Sequence, residues 1–317
     1  MKATFLHLVS RRIRGAGASQ SADSGDPPTR TTVTLEPQNG WHWKEWLAES
    51  VGTAILLFAV VTAKDLAVRA GPPLSSLPWR NLVTALAAGA AVAIVAVSAM
   101  GQRSGAHLNP ALTFGLWLQR TVSSADLAGY LVAQLSGAML GVAVARLWGP
   151  TVTRAPVDWA VVKPGPVISQ PAAAGLECGV VLVQLSVVFI LLSSQRLHQW
   201  APAASGALLA AAVFVLAPLS GGGINPARAL APDDLSGAYP AVWIYLAGPL
   251  LGSALAAAAL RAGRRQPLTG KLRHDPSIRC HMRCILPGPP GHGPDQVSAG
   301  IGRSPKARNV TDRGRSR

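Results

Sequence analysis

GAHLNPAL at residues 105–112 and GGINPARAL at residues 222–230 both contain the tripeptide Asn-Pro-Ala. Asparagine is among the best helix N-caps, and proline is favoured at the first helical position, where its missing N–H loses nothing. Each stretch therefore predicts a short helix, at about Pro110–Leu118 and about Pro226–Ala231. Neither helix is long enough to cross a bilayer core of about 30 Å.

Six apolar blocks surround these two stretches. They cover residues 47–63, 82–100, 127–145, 178–194, 201–219 and 235–260, and Glu49 is the one charged residue within them. A transmembrane helix needs about 20 apolar residues, and in lipid every backbone polar group must be paired within the segment. We therefore predict an all-α membrane protein with six transmembrane helices plus two re-entrant half-helices.

The overall composition excludes several classes of protein. Of the 317 residues, 49% are hydrophobic and 14% are charged, which is unlike a disordered chain or an ordinary soluble enzyme. Three cysteines are too few for a disulfide scaffold. The apolar blocks contain no metal-ligand cluster, no paired carboxylates and no nucleophile–base set. We therefore expect no enzymatic activity and no cofactor.

The chain consists of two similar halves, at about residues 44–146 and about residues 172–262. In each half Asn-Pro-Ala lies between the second and third block, and a glutamate, Glu49 or Glu177, lies at the start of the first. Three spans per half is an odd number, so the second half must be inverted relative to the first. Interrupted segments at matching positions of inverted repeats mark a transport site.

The predicted half-helices would enter from opposite faces and meet with their N-termini near the bilayer midplane. Their positive dipole ends would then face each other. The amides of Asn109 and Asn225 would present N–H donors at the same point. A water or hydroxyl oxygen would turn toward these donors, and the positive potential would repel protons and cations. The pattern indicates a conduit for neutral solutes.

These motifs resemble the aquaporin family, also called major intrinsic proteins. The resemblance covers about residues 44–262 and includes Ala48-Glu49, the YLVAQ stretch 130–134, and arginine after the second Asn-Pro-Ala. It implies an aquaporin-like, right-handed bundle of six helices and two half-helices, with one pore per protomer and four protomers in a homotetramer. The implied pore motifs are Asn109, Pro110, Ala111, Asn225, Pro226 and Ala227.

The resemblance also implies a selectivity filter beside the two motifs. Its four positions align with Gly89, Val213, Gly222 and Arg228, although the featureless sequence around the first allows a shift by one residue, to Ala88. Water-specific members carry a bulky aromatic residue and histidine at the first two positions. Gly89 and Val213 therefore predict a wide, partly apolar constriction.

Markers of the transported solute conflict with one another. Glycerol-conducting members usually have aspartate where this chain has Ala229, whereas Leu246 after Tyr245 is similar to the glycerol subgroup. We expect passage of water and small uncharged solutes such as glycerol or urea. Two alternatives stay open: a facilitator of metalloids (arsenite or boric acid), and a secondary active transporter, for which Glu49 and Glu177 are the available coupling carboxylates.

Three further residues are expected to support the pore. In the family, the two glutamates, Glu49 and Glu177, accept hydrogen bonds from loop N–H groups behind each half-helix, although a proton relay is an alternative. We expect His107 to anchor its loop rather than to sense pH. The carbonyl groups of Gly222 and Gly223 are expected to line the pore.

The two ends of the chain are polar, and residues 1–43 and 263–317 are predicted to be disordered tails. From residue 261 onward, thirteen Lys/Arg and three Asp give +10 of the total charge of +15. We interpret this as a cytoplasmic tail beside anionic lipid rather than a nucleic-acid partner. The protein is thus expected in the plasma membrane, multi-pass, with cytoplasmic termini. Cys280 and Cys284 are a weak candidate for metal binding.

Overall fold

The computed structural model describes residues 40–278 and 280–286 of the chain. This part of the chain is helical and contains no β-strand. Its helices are α1 (Trp43–Arg69), α2 (Leu77–Val97), α3 (Ala99–Ser104), α4 (Pro110–Leu118), α5 (Ser124–Ala145), α6 (Gln170–Leu192), α7 (Ala201–Leu216), α8 (Pro226–Ser236) and α9 (Trp243–Ala262). Six segments, built on α1, α2, α5, α6, α7 and α9, are long and apolar enough to cross a membrane. The predicted fold class is confirmed.

The half-helices α4 and α8 begin where the sequence predicts. Asn109 caps α4 because its Oδ1 accepts a hydrogen bond of 2.8 Å from the N–H of Ala111. Asn225 caps α8 in the same way, through a bond of 3.0 Å from the N–H of Ala227. At about 1.5 Å per residue, the nine residues of α4 cover roughly half of a bilayer core.

The end of α8 differs from the prediction. The helix continues past Ala231 and through Pro232 to Ser236, so Leu235 belongs to α8 and not to the last span, which begins at Trp243. Proline removes one hydrogen bond from a helix without always ending it. Gly237, with a φ of 72°, ends α8 in the left-handed conformation, and its N–H donates to the carbonyl of Asp233.

Pairs of glycines bring the first and third span of each half into backbone contact. A Cβ on Gly137 of α5 would lie 2.0 Å from Ser50 O of α1, and a Cβ on Gly141 would lie 2.2 Å from Ala54 O of the same helix. In the second half, a Cβ on Gly252 of α9 would lie 2.3 Å from Cys178 O of α6. Small residues at these points let membrane helices pack closely.

The second spans of the two halves, α2 and α7, also pack on each other. A Cβ on Gly89 would lie 2.3 Å from Gly206 O, and a Cβ on Gly206 would lie 2.5 Å from Gly89 O. The contact is therefore reciprocal, as an inverted repeat requires. It leaves no room for a side chain at Gly89, which is the position that the sequence analysis assigned to the pore.

The segment after α9 differs from the disordered tail predicted for it. Residues 267–278 and 280–286 fold back onto the bundle and bury several side chains, and residues 287–317 lie outside the described part. Lys271 and Leu272 are each 1% exposed, and Met282 is 3% exposed. The basic composition predicted a solvated tail, whereas backbone hydrogen bonds to the bundle hold this part in place.

Candidate pore

The two Asn-Pro-Ala motifs meet at the centre of the bundle. Asn225 donates from Nδ2 to the carbonyl of Leu108 at 2.7 Å, and Asn109 donates from Nδ2 to the carbonyl of Ile224 at 3.3 Å. Each amide nitrogen carries two hydrogens. Each asparagine therefore uses one N–H to hold the opposite half in position and keeps the other for a second acceptor.

The loops that precede the motifs have the same backbone conformation. We name residues 104–109 the first NPA loop and residues 220–225 the second NPA loop, where NPA stands for Asn-Pro-Ala. Leu108 and Ile224, just before each asparagine, have φ values of 52° and 60°. Such left-handed conformations are unfavourable for branched residues and persist only where surrounding contacts fix them.

Glu49 fixes the first NPA loop. Its carboxylate is fully buried and accepts hydrogen bonds from the N–H of His107 at 3.0 Å and of Leu108 at 2.8 Å. The side chain of Gln134 adds a third bond, at 2.9 Å. The carboxylate thus provides acceptors for loop N–H groups that no helix or strand can pair.

Glu177 holds the second NPA loop through the same kind of contacts. Its Oε1 accepts from Ser220 Oγ at 2.6 Å and from Gly223 N at 3.0 Å, and its Oε2 accepts from Ile224 N at 2.6 Å. The side chain is fully buried. Both glutamates therefore lie behind their half-helices and bond to loop N–H groups, as the sequence analysis expected.

Two tyrosines, which the sequence analysis did not assign to the site, anchor the start of each loop. Tyr130 donates its hydroxyl to Ser104 O at 2.5 Å, and Tyr245 donates to Ser220 O at 2.6 Å. Both are fully buried. The sequence carried a signal for them, because each follows the asparagine of its half by about 20 residues.

His107 connects the first NPA loop to two neighbours. Its Nδ1 lies 3.1 Å from Thr113 Oγ1 of α4, and its Nε2 lies 2.8 Å from Gly270 O in the segment after α9. The residue is 3% exposed. The carbonyl of Gly270 fixes Nε2 as a donor, so His107 lies in a loop-anchoring position.

On the side of Arg228, a cavity of about 20 Å³ lies between the bundle helices. Its lining consists of Leu56, Val60, Thr84, Ala88, Leu209, Val213, Gly223, Asn225 and Arg228. The cavity has room for about one water molecule, since one water needs roughly 10–15 Å³ by this kind of measure.

Three of the four predicted filter residues lie at this end of the bundle. Val213 and Arg228 line the cavity, and Gly222, with a φ of 66°, lies against the backbone of Val213. Gly89 does not reach the cavity, because it packs on Gly206. Ala88, the neighbouring residue that the sequence analysis kept as the alternative, lines the cavity instead.

Arg228 is fixed by the chain segment that connects the two halves. Its Nη1 donates to the carbonyl of Ala160 at 3.0 Å. A guanidinium has five N–H groups, so donors are left over for molecules in the cavity. The arginine both clamps a loop carbonyl and places a positive charge beside the passage.

On the other side of the asparagines lies a second cavity, of about 30 Å³. Its lining includes His107, Asn109 and Asn225 together with apolar residues of α1, α2, α6 and α7. Asn225 lines both cavities, so the two lie next to each other at the asparagines, and we name the line through them the passage. Leu272, from the segment after α9, lines the second cavity together with the asparagines.

The sequence profile of the family described as Major intrinsic protein matches residues 36–260 of the chain. The chain belongs to this family. Major intrinsic proteins are membrane channels for water and small solutes rather than enzymes. The match covers both NPA loops and all six spans up to the last turn of α9, and it ends before the segment that carries Leu272.

Several relatives of known name share the family. The lens fiber major intrinsic protein of Gallus gallus is 32% identical over 226 residues, which is 70% of this chain and 82% of the relative. Aquaporin NIP2-3 of Zea mays is 26% identical and covers 78% of each chain. The aquaglyceroporin structure from Plasmodium falciparum matches with a TM-score of 0.60 at 21% identity, over 69% of this chain and 96% of that one.

The weak metal candidate of this major intrinsic protein lies outside the pore. Cys284 Sγ is 3.6 Å from His274 Nδ1, and hydrogen bonds with Cys280 and then with His274 lower the pKa of Cys284 to about 4. Among residues 40–278 and 280–286, no group of three His, Cys, Asp or Glu side chains is placed to hold a metal ion. The pair thus lacks the ligand number of a structural zinc site.

Proposed function

We propose that this channel conducts water together with small uncharged solutes such as glycerol and urea. The observation that supports this proposal is the set of side chains that line the cavity beside Arg228. The nine residues that line it in the described structure include no aromatic ring, and Ala88 and Val213 are two of its small apolar lining residues. Small apolar side chains leave width for carbon-bearing solutes, and Arg228 supplies hydrogen-bond donors for their hydroxyl or amide oxygens.

The electrostatics of the passage support the exclusion of ions and protons. The N-termini of α4 and α8 meet at Asn109 and Asn225, so two positive helix-dipole ends point at one place. The guanidinium of Arg228 adds a full positive charge farther along the same passage. A cation or hydronium that enters meets a repulsive potential without any carboxylate lining the two cavities.

The state of the two buried glutamates favours a passive channel over a coupled transporter. Each carboxylate of Glu49 and Glu177 already accepts three hydrogen bonds from the loop or from adjacent side chains. A coupling carboxylate must release and accept protons or bind an ion during transport. Protonation here would break bonds that hold the NPA loops.

Stopped-flow light scattering on proteoliposomes tests the proposal. Under an impermeant osmolyte the vesicles should shrink fast, and under a glycerol or urea gradient they should shrink and then re-swell. Ala88→Phe should suppress re-swelling more than water flow, because the ring would narrow the cavity and exclude the larger solute first. Leu86→Phe is the matched control, since Leu86 on the same helix is 57% exposed.

Two results would contradict the proposal. If the vesicles shrink without re-swelling, the pore is water-selective. If Ala88→Phe and Leu86→Phe behave alike, the cavity beside Arg228 does not select the solute.

A metalloid facilitator is the second candidate, and the same observation favours it. Uncharged arsenite and boric acid resemble glycerol in size and in their display of hydroxyl groups. A cavity bounded by Ala88 and Val213 would admit them as well. Uptake of boric acid or arsenite into the same vesicles, blocked by Ala88→Phe, would support this function.

We also propose a plasma-membrane homotetramer with cytoplasmic termini. Lys44, Arg261, Arg264 and Arg265 lie close to the ends of the first and last spans, as the positive-inside rule favours for cytoplasmic ends. An exposed apolar groove of about 750 Å³ between α1 and α5, flanked by Trp41 and Trp46, is suited to packing against another protomer. Light scattering of the detergent-solubilised protein would give the number of protomers.

A further inference from the structure

The segment after α9 lies across one mouth of the passage. We name the described residues 267–278 and 280–286 of this segment the lid. Its Leu272 lines the same cavity as Asn109 and Asn225 and is 1% exposed. A molecule that moves from the asparagines toward this mouth therefore meets the leucine side chain.

The lid is attached directly to the first NPA loop. The N–H of Leu272 donates to Gly105 O at 3.0 Å, and His107 donates from Nε2 to Gly270 O at 2.8 Å. Gly105 permits this close approach, because a Cβ there would lie 3.3 Å from both Gly270 O and Lys271 Cα. Two reciprocal bonds thus position Leu272 over the passage.

Lys271 provides a second and unusual attachment. Its side chain is almost fully buried, and Nζ donates to the carbonyl of Gln102 at 2.9 Å. Gln102 lies in the last turn of α3, where the helix dipole favours a positive charge. Lysine is rarely buried unless it has a specific partner. Its burial here indicates a defined seat for the lid rather than a loose tail.

The lid also contacts both halves of the channel. In the second half, Leu268 N donates to Leu192 O at 2.8 Å, and in the first, Arg283 N donates to Thr121 O at 3.0 Å. His281 lies 3.1 Å from the hydroxyl of Tyr130. Besides these hydrogen bonds, Leu272 and Met282 of the lid belong to the hydrophobic core. The main helix packing (α1 on α5, α6 on α9, α2 on α7) does not pass through the lid. The helices of the bundle therefore contact one another independently of the lid.

We propose that the lid closes the pore at the mouth beside the first NPA loop, and that its release opens the channel. The described conformation is then the closed state, with Leu272 as the blocking side chain and Lys271 as the latch. This inference rests on the proposed function, since it needs a conducting pore. It goes beyond it by assigning regulation to a segment outside the family match.

The test uses three variants of the full chain in proteoliposomes. Lys271→Glu should release the lid, because a carboxylate cannot donate to Gln102 O. Leu272→Ala should open the passage with the lid still seated. Water permeability per channel is expected to rise roughly fivefold or more for Lys271→Glu and about twofold for Leu272→Ala, as the closed population falls. Ile285→Ala, on an exposed lid residue, should match the unaltered chain.

A second readout reports the position of the lid itself. Cys280 and Cys284 are half-buried in the seated lid, so a hydrophilic maleimide should label them faster in Lys271→Glu. Cys178, on a transmembrane helix, is replaced by serine in all samples so that it does not contribute. Faster labelling together with higher permeability supports the proposal.

Three other outcomes overturn it. Faster labelling with unchanged permeability means that the lid detaches but does not gate. Unchanged labelling and permeability in all three variants, with a conducting unaltered chain, means that the segment is only structural, and the proposed channel function stands. If correctly folded protein conducts neither with nor without the substitutions, the proposed function fails and the lid proposal fails with it.

Discussion

The first and second NPA loops have the same backbone conformation and are held by equivalent contacts, although they belong to opposite halves of the inverted repeat. Gly105 and Gly221 have φ values of 104° and 94°, and Ala106 and Gly222 have values of 54° and 66°. Each loop is held by one buried glutamate and one tyrosine hydroxyl from its own half. The two halves thus fix their NPA loops with equivalent contacts.

The loops differ in the side chain two residues before the asparagine. The first loop has His107, which bonds to the lid, and the second has Gly223, which lines the cavity beside Arg228. A Cβ on Gly223 would lie 2.4 Å from Tyr245 Cδ1. The shared contacts therefore fix the backbone of both loops. The position two residues before the asparagine distinguishes them, because the histidine of the first loop bonds to the lid and the glycine of the second loop lines the cavity.

Removal of either buried carboxylate should have the largest effect and should act equally on both loops. Glu177→Ala leaves Gly223 N–H, Ile224 N–H and the Ser220 hydroxyl without an acceptor, at about 1–3 kcal/mol for each buried donor. We expect most of the folded protein to be lost, and the same for Glu49→Ala. The monodisperse fraction after heating in detergent measures it.

The control for these variants is Glu45→Ala. Glu45 forms an exposed ion pair with Arg103, and such pairs contribute about 0–1 kcal/mol. If Glu49→Ala or Glu177→Ala melts at the temperature of this control, the glutamates do not support the loops. If only one of them is destabilised, the two halves are not equivalent.

The contact between Gly89 and Gly206, which joins the second spans of the two halves, should be the next most sensitive to substitution. Gly89→Ala places a Cβ 2.3 Å from Gly206 O, and overpacking of this kind costs about 1–3 kcal/mol. We expect a lower melting temperature. Gly175→Ala on α6 is the matched control, because its Cβ would meet no atom within 4 Å. Equal melting temperatures would argue that Gly89 has room and could still face the pore.

Removal of the His107 side chain, which distinguishes the first NPA loop from the second, should have a smaller effect. His107→Ala deletes the bond to Gly270 O, and a hydrogen bond contributes about 0.5–1.5 kcal/mol net. The seated lid should weaken by a factor of a few, with higher water permeability and faster maleimide labelling. Thr113→Ala removes the other partner of His107 and should leave the lid seated. Identical permeability for the two variants would contradict this assignment.

The smallest expected effect is a dependence on pH through the lid. Burial, and then the nearby charges of Lys271 and His42, hold the pKa of His281 well below its usual 6.5. His107 and Arg103 lower it further, and the Tyr130 hydroxyl faces the ring. The seated lid therefore binds fewer protons than the released lid at pH values between the lowered pKa of His281 and about 6.5.

The sign follows from this difference. The contribution of neutral His281 to the seated lid is complete above about pH 6.5 and decreases as the pH falls toward the lowered pKa. Water permeability should rise when the pH on the lid side is lowered from 7.5 to 5.5. His281→Gln should remove this part of the rise, and a full rise in that variant would assign it to another group.

The sequence predicted those features that depend on local chemistry. Asn109-Pro110 and Asn225-Pro226 give helix starts because capping and the geometry of proline act within a few residues. Glu49 and Glu177 were placed behind the loops by the resemblance to the aquaporin family, in which a glutamate at the start of each half has this role. The six spans followed from the length of the apolar blocks.

Two other predictions differ from the described structure, and each difference has a physical reason. Gly89 was aligned with the filter, with Ala88 as the alternative, because a stretch of alanine and glycine carries no register. The contact between Gly89 and Gly206 depends on the tertiary packing, which the sequence does not show. The lid was interpreted as part of a disordered tail because the tail is basic and because residues 287–294, which follow the lid, are rich in proline and glycine. Its attachments go to backbone carbonyls such as Gly105 O and Leu192 O, which are present in any sequence.

The crossed asparagine bonds have a consequence for the ancestry of the chain. Asn109 donates to a carbonyl of the second half and Asn225 to a carbonyl of the first, so neither half completes its own centre. A polypeptide of half this length would bury unpaired amides at the bilayer midplane unless a second copy inserted upside down beside it. The geometry is therefore that expected of two antiparallel copies joined into one chain, in which each half supplies the hydrogen-bond acceptor that the other half needs.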